Sequence, residues 1–177
     1  MKKKAFAIIK GNSAKIDGDK IIYQRVNLKG ELKEEEDKNN KDPSTVRTNL
    51  NFSSGTIKFK FKATNHKTGI LVILKGKNDK EILIGHSYDK EAFCIVDQGL
   101  MRGNIAGSLS NYDLNKEHIL VMTLNGSIAN LYIDDVLIIS DNIEVKDAPV
   151  ELRICSDDRI EIHDFDVEHK SKNAFIV

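Results

Sequence analysis

From residue 55 to 64 the chain alternates strictly. Ile57, Phe59, Phe61 and Ala63 are apolar, while Lys58, Lys60, Lys62 and Thr64 are polar. Successive side chains of a β-strand point to opposite faces, so this pattern predicts a strand with one face in a core and the other in water. Three further runs are apolar at every position: Ile70-Leu71-Val72-Ile73-Leu74, Ile82-Leu83-Ile84 and Ala92-Phe93-Cys94-Ile95-Val96. Runs of this kind predict central strands covered on both faces. Shorter segments at 5–9, 20–26, 118–124, 128–133, 136–139, 150–155 and 159–168 extend the series. Asn125-Gly126 and Asp134-Asp135 mark two hairpin turns, and Ser156-Asp157-Asp158 marks a third. No segment has a helical period. Many short strands divided by turns predict an all-β sandwich or barrel in a single domain over 1–168.

Two segments break the pattern. Residues 29–45 are dominated by Lys, Glu, Asp and Asn, with no apolar period, and read as a loop or at most a short exposed helix. Residues 97–116 carry Gly99, Gly103 and Gly107 among polar residues and read as irregular. The doubly apolar strands need a cover beyond the inter-sheet core, because large apolar patches are rare on monomer surfaces. Leu100, Met101, Ile105 and Leu109 would let 97–116 fold over the concave face of a sheet, with Arg102 at the rim. A homodimer contact would cover the remainder.

Charge and composition narrow the partners. The 177 residues hold 27 basic and 27 acidic side chains, so no general attraction to nucleic acid or to an anionic membrane arises. Lys2-Lys3-Lys4 before Ala5-Phe6-Ala7-Ile8-Ile9 resembles a signal peptide, but the apolar part is too short and Lys10 ends it. Cys94 and Cys155 lie inside apolar runs and read as buried free thiols of a cytoplasmic chain, with a disulfide between neighbouring strands as the alternative. Abundant Lys, Asn and Ile suggest an AT-rich bacterial genome.

The strand order resembles the concanavalin A-like lectin/glucanase superfamily. The likeness rests on residues 52–61 entered through Gly55, on 118–135 as the late hairpin, and on 159–167 as the closing strand. It implies a two-sheet antiparallel jelly-roll sandwich. Family glucanases carry alternating acids flanked by Trp. The nearest match here is Asp164-x-Asp166-x-Glu168, without any Trp, so no catalytic residue carries over. After the polar stretch 168–173, Ala174-Phe175-Ile176-Val177 resembles the opening strand of TIR-like domains. Residues 169–177 therefore read as a linker or the start of a following domain.

Candidate chemistry is sparse. Asp164, Asp166 and Glu168 would share one strand face, which suits a paired-carboxylate site or simply a solvated edge. Lys58 and Lys60, with Lys62, make a basic stripe that would bind an anion or merely keep a sheet face charged. Gln98, Arg102 and Asn104 lie in the glycine-bearing loop, and Arg102 is a good bidentate ligand for an anion. Asp-rich turns at 134–135 and 157–158 suit calcium or only a turn. The five histidines have no metal spacing, and no cofactor motif occurs. The reading is a non-catalytic binding or sensing module for a carbohydrate or a small anionic molecule. The competing readings are a carbohydrate-active enzyme and a homo-oligomerisation domain. Only 7 Phe and 4 Tyr occur, with no Trp, which weakens sugar stacking in either case.

Overall fold

The computed structural model describes residues 4–25, 41–97 and 99–170, with 100–106 described as backbone only. Fourteen strands are present among them: β1 (Phe6–Lys10), β2 (Ala14–Asp17), β3 (Lys20–Gln24), β4 (Ser44–Phe52), β5 (Gly55–Ala63), β6 (Thr68–Gly76), β7 (Glu81–Ser87), β8 (Ala92–Asp97), β9 (Leu100–Ala106), β10 (His118–Asn125), β11 (Ile128–Ile133), β12 (Val136–Asn142), β13 (Val145–Ser156) and β14 (Arg159–His169). They form two seven-stranded sheets. One runs β1-β4-β13-β6-β7-β8-β9, and the other runs β12-β11-β10-β5-β14-β3-β2. Every recorded strand pair is antiparallel.

The core lies between the sheets and follows from alternation. Ile57, Phe59 and Phe61 of β5 point inward, and Lys58 and Lys62 are exposed. Phe59 stacks on Phe165 with ring centroids 5.9 Å apart and meets Phe61 edge-on at 6.4 Å. The opposing sheet supplies Val72, Ile84, Ile95, Leu152 and Ile154, each almost fully buried. Two of the three predicted hairpin turns close as strand twist requires, whereas Ser156-Asp157-Asp158 carries the chain from one sheet to the other, because β13 and β14 do not pair. Asp134 and Asp135 take φ of 50° and 67°, the left-handed pair of a type I′ turn, which Asp tolerates. The other turn is centred on Gly126-Ser127, one residue beyond the predicted Asn125-Gly126, because Asn125 still pairs with Ile128.

Three strands depart from the sequence reading. β4 occupies the end of the expected 29–45 loop and the residues after it; it holds only three large apolar residues but is paired on both sides, by β1 and β13. β2 was not anticipated either. β9 corrects the expectation that 97–116 folds over a sheet face: its backbone pairs edge to edge with β8, joining Phe93 to Ala106 and Asp97 to Leu100. The segment widens the sheet instead of roofing it. A short 3-10 turn at Leu109–Asn111 follows and sends Leu109 into the core. The tail 171–177, with its TIR-like reading, lies outside the described residues, and that resemblance gains no support.

Candidate functional site

The doubly apolar strands create a hollow on the outer face of the first sheet. Ile70, Val72, Leu74, Ile82 and Ile84 face the core, so Leu71, Ile73 and Leu83 face outward by alternation. One row across four strands reads Arg153, Leu71, Gly85, Cys94, and the next reads Glu151, Ile73, Leu83, Val96. Gly85 leaves a gap in the middle of the first row. Its φ of 147° is open to few residues other than glycine, and a Cβ there would collide with the carbonyl oxygen of Ile70. Gly69 is closely packed instead: a Cβ there would come within 2.9 Å of Tyr88. The result is a groove of about 330 Å³ with an apolar floor of Leu71, Leu83, Val96 and Cys94.

Charged and polar groups form the walls. Lys41, Lys90 and Arg153 stand at the rim with one carboxylate, Asp89, which pairs with Lys41. Tyr88 closes one end. Its hydroxyl donates to Asp157 Oδ1 at 2.5 Å, and the same oxygen receives buried Arg25 Nη1 at 2.5 Å. Burial and the neighbouring Asp157 carboxylate push the Tyr88 phenol well above its usual range. Lys67 and Lys41 place their ammonium groups 4.6 and 5.4 Å from the Tyr88 ring centroid. The ring is thus engaged by cations. Cys94 and Cys155 are both free and buried, and burial raises both thiols, so they serve as apolar lining.

A second hollow of about 410 Å³ lies further along the same face, lined by Arg47, Ile73, Asp79, Glu81 and Glu151 among others. The ion pair Arg153–Glu81 runs between the two hollows. Arg153 Nη2 donates to both carboxylate oxygens, at 3.2 and 3.3 Å. The registers put Arg153 opposite Leu71 and Glu81 opposite Lys75, so the pair crosses the position of Ile73. Arg47–Glu151, at 2.7 Å, lies beside it. Ile73 is only 4% exposed although it faces outward. The cover sought in residues 97–116 is supplied here by long charged side chains lying over the apolar floor.

The residues singled out in the sequence lie elsewhere. Lys58 and Lys60 are on the outer face of the other sheet. Lys60 pairs with Asp164 at 3.2 Å and Glu117 at 3.7 Å, and Lys62 pairs with Glu161 at 3.6 Å. The hydrogen bond from Lys60 holds the Asp164 carboxyl below its usual range. A bulge in β14 turns Asp164 to φ 54° and shifts the register against β5 between His163 and Asp166, yet Phe165 and Val167 pack inward, so Asp164, Asp166 and Glu168 share the outer face as expected, and all three are exposed. Lys60 and Lys62 are thus neutralised by neighbouring carboxylates. Arg102 and Asn104 belong to the backbone of β9, at the edge of the first sheet, and Gln98 lies outside the described residues. Lys58 and Lys60 therefore lie on a different sheet from Arg102 and Asn104. Sequence reasoning missed Arg153, Glu81 and Tyr88, whose partners are remote in sequence. The one legible signal was the doubly apolar runs, which mark the groove floor.

No protein-family model and no curated protein matches this sequence. Solved structures do match over nearly the whole chain. A carbohydrate-binding module from Bacillus subtilis aligns with a TM-score of 0.61 at 12% identity, over 90% of this chain and 92% of its own. A Bacillus licheniformis beta-glucanase gives 0.64 at 10% identity, over 94% and 92%. A Bacillus subtilis protein of unknown function with a galectin-like fold gives 0.63 at 9% identity, over 90% and 87%. At these identities the likeness is one of fold. Two seven-stranded antiparallel sheets packed face to face, matched over most of their length by these proteins, give this chain the fold of a jelly-roll β-sandwich.

Proposed function

We propose that this domain is a non-catalytic carbohydrate-binding module whose ligand lies in the outer-face groove over Gly85. The observation that carries the reading is the groove itself. A floor of Leu71, Leu83 and Val96 lies in a hollow of a rigid sheet, in rows where Gly85 presents no side chain, and polar groups line only its rim. Ligand sites have this constitution: an apolar base with a few placed polar groups. The structural likeness to a carbohydrate-binding module and a beta-glucanase supports a saccharide as the occupant. The lining argues against hydrolysis. Glycosidases need two carboxyl groups flanking the scissile bond. Among the described lining residues of this groove the one carboxylate is Asp89, and it is paired with Lys41.

The competing enzyme reading rests on Glu81 and Glu151, which share the outer face. Each lines the second hollow but is engaged there by an arginine. Titration calorimetry against a panel of soluble oligosaccharides tests the proposal, with reducing-end release measured in parallel. The expected result is binding without product, lost in Leu71→Arg while the melting temperature holds. Sugar release that disappears in Glu151→Gln would overturn it in favour of the enzyme.

A further inference from the structure

We infer that the groove reads a carboxylate on its ligand through Arg153, and that Glu81 occupies the carboxylate position in the empty protein, so the ligand class is a uronate-bearing saccharide. This rests on the proposed binding function and adds the chemistry of the ligand. Three observations converge.

The first is what Arg153 already holds. Its Nη2 donates to both oxygens of Glu81, at 3.2 and 3.3 Å. Guanidinium is the side chain best shaped for a carboxylate, and here it is displayed at the boundary of the two hollows. Glu81 is half exposed, at 52%, and Arg153 is 32% exposed. An exposed ion pair is worth little, so a ligand carboxylate can displace Glu81 at small cost. Displacement also joins the two hollows along the strand direction and leaves a longer trough for a chain of sugar units.

The second is local charge. The whole chain balances 27 basic against 27 acidic residues. The groove does not: Lys41, Lys90 and Arg153 face Asp89 in its lining and Glu81 on Arg153. One cation is left in surplus, and two once Glu81 is displaced, which favours an anionic ligand over a neutral one.

The third is the state of the aromatics. Neutral saccharides are commonly held by stacking on an open ring. The sequence contains no Trp, and Tyr88, the ring at the groove, has Lys41 and Lys67 over it and its hydroxyl on Asp157. Affinity must therefore come from polar contacts, and Arg153 is the strongest such group at the groove.

The experiment is calorimetric titration of the whole chain with tetrasaccharides of galacturonate, glucuronate and mannuronate. Each is set against its methyl-esterified form and a 6-O-sulfated neutral counterpart. We expect at least one uronate to bind tenfold or more tightly than its ester. We expect Arg153→Met to erase that difference, and Glu81→Gln to tighten uronate binding several-fold by removing the competitor. Should Arg153→Met fail to fold, the Glu81→Gln result decides by itself, since no change or a weakening there overturns the inference. Equal binding of acid and ester, lost in Leu71→Arg, overturns the carboxylate reading and leaves the binding function standing. Preference for the sulfated form over every uronate also overturns it. Failure of every saccharide to bind defeats both readings together.

Discussion

Two histidines show how far local hydrogen bonding fixes protonation. His86 is 1% exposed and lies against Phe93. Its Nδ1 is 2.6 Å from the Thr68 carbonyl, which can only accept, and its Nε2 receives the Leu109 N–H at 3.1 Å. The ring is thus neutral, with its proton on Nδ1, and burial lowers its pKa. His118 differs. Burial works against its charge, but Asp113 O at 2.8 Å and Asp134 Oδ2 at 2.7 Å both accept from the ring, and together they raise its pKa. The signs are opposite. The His118 contribution is fully present below the ordinary histidine value and is lost as pH rises through the raised one. The His86 contribution is present above the ordinary value and is lost as pH falls below it. Replacing His118 by Gln should therefore cost on the order of 1 kcal/mol at pH 5 and markedly less at pH 9, measured by urea unfolding. A cost independent of pH would show that those two acceptors do not hold an imidazolium. Ring NMR at pH 6 should find the Nδ1–H tautomer at His86; an Nε2–H tautomer would contradict the bonding described above.

At the scale of elements, legibility tracked how much of a strand's identity its own residues carry. β5 was plain because every second residue is apolar and its partners merely confirm the register. Phe59→Ala should cost about 3–5 kcal/mol, since the ring is 1% exposed between Phe61 and Phe165. Lys58→Ala on the opposite face should stay within about 0.5 kcal/mol. Similar losses from both in chemical denaturation would contradict the orientation of β5. β4 and β9 were obscure because their identity is borrowed. β4 is polar at most positions, yet buried Thr48 donates to the Val150 carbonyl of β13 at 2.9 Å, a bond no spacing reveals. β9 contains Gly103, which suggests a loop, but β8 offers it a ladder and strand preference yields to pairing. The groove was half legible for the same reason. Its floor was visible as apolar runs, whereas Arg153 and Glu81 are 72 residues apart and meet only because β13, β6 and β7 are neighbours.

For the molecule as a whole, the open question in the sequence was what keeps water off a sheet that is apolar on both sides. Residues 97–116 do not, because they extend the sheet. Charged side chains do: Arg153–Glu81 and Arg47–Glu151 lie across a face whose floor is Leu71, Ile73 and Leu83. These pairs are partly exposed and contribute little as ion pairs. Their effect comes from the aliphatic stems, which hold water off Ile73 while presenting charge to solvent. Removing the Arg153–Glu81 pair should turn a groove into an apolar patch, and such patches promote association. A homodimer that seeks cover for this face would use the same surface. The double variant Arg153→Ala with Glu81→Ala is therefore expected to bind a hydrophobic dye more strongly than the parent and to show a higher mass in light scattering. The control is Lys146→Ala with Asp79→Ala. It removes an exposed ion pair of 2.6 Å at the rim of the same sheet and should change neither reading. If the Arg153/Glu81 variant keeps the parent's mass and dye binding, Ile73 is kept dry by the packing of β6 and β7 alone. The self-association expected from the strand pattern would then have to use another surface, of which the exposed Val136 and Leu137 on edge strand β12 are the next candidate.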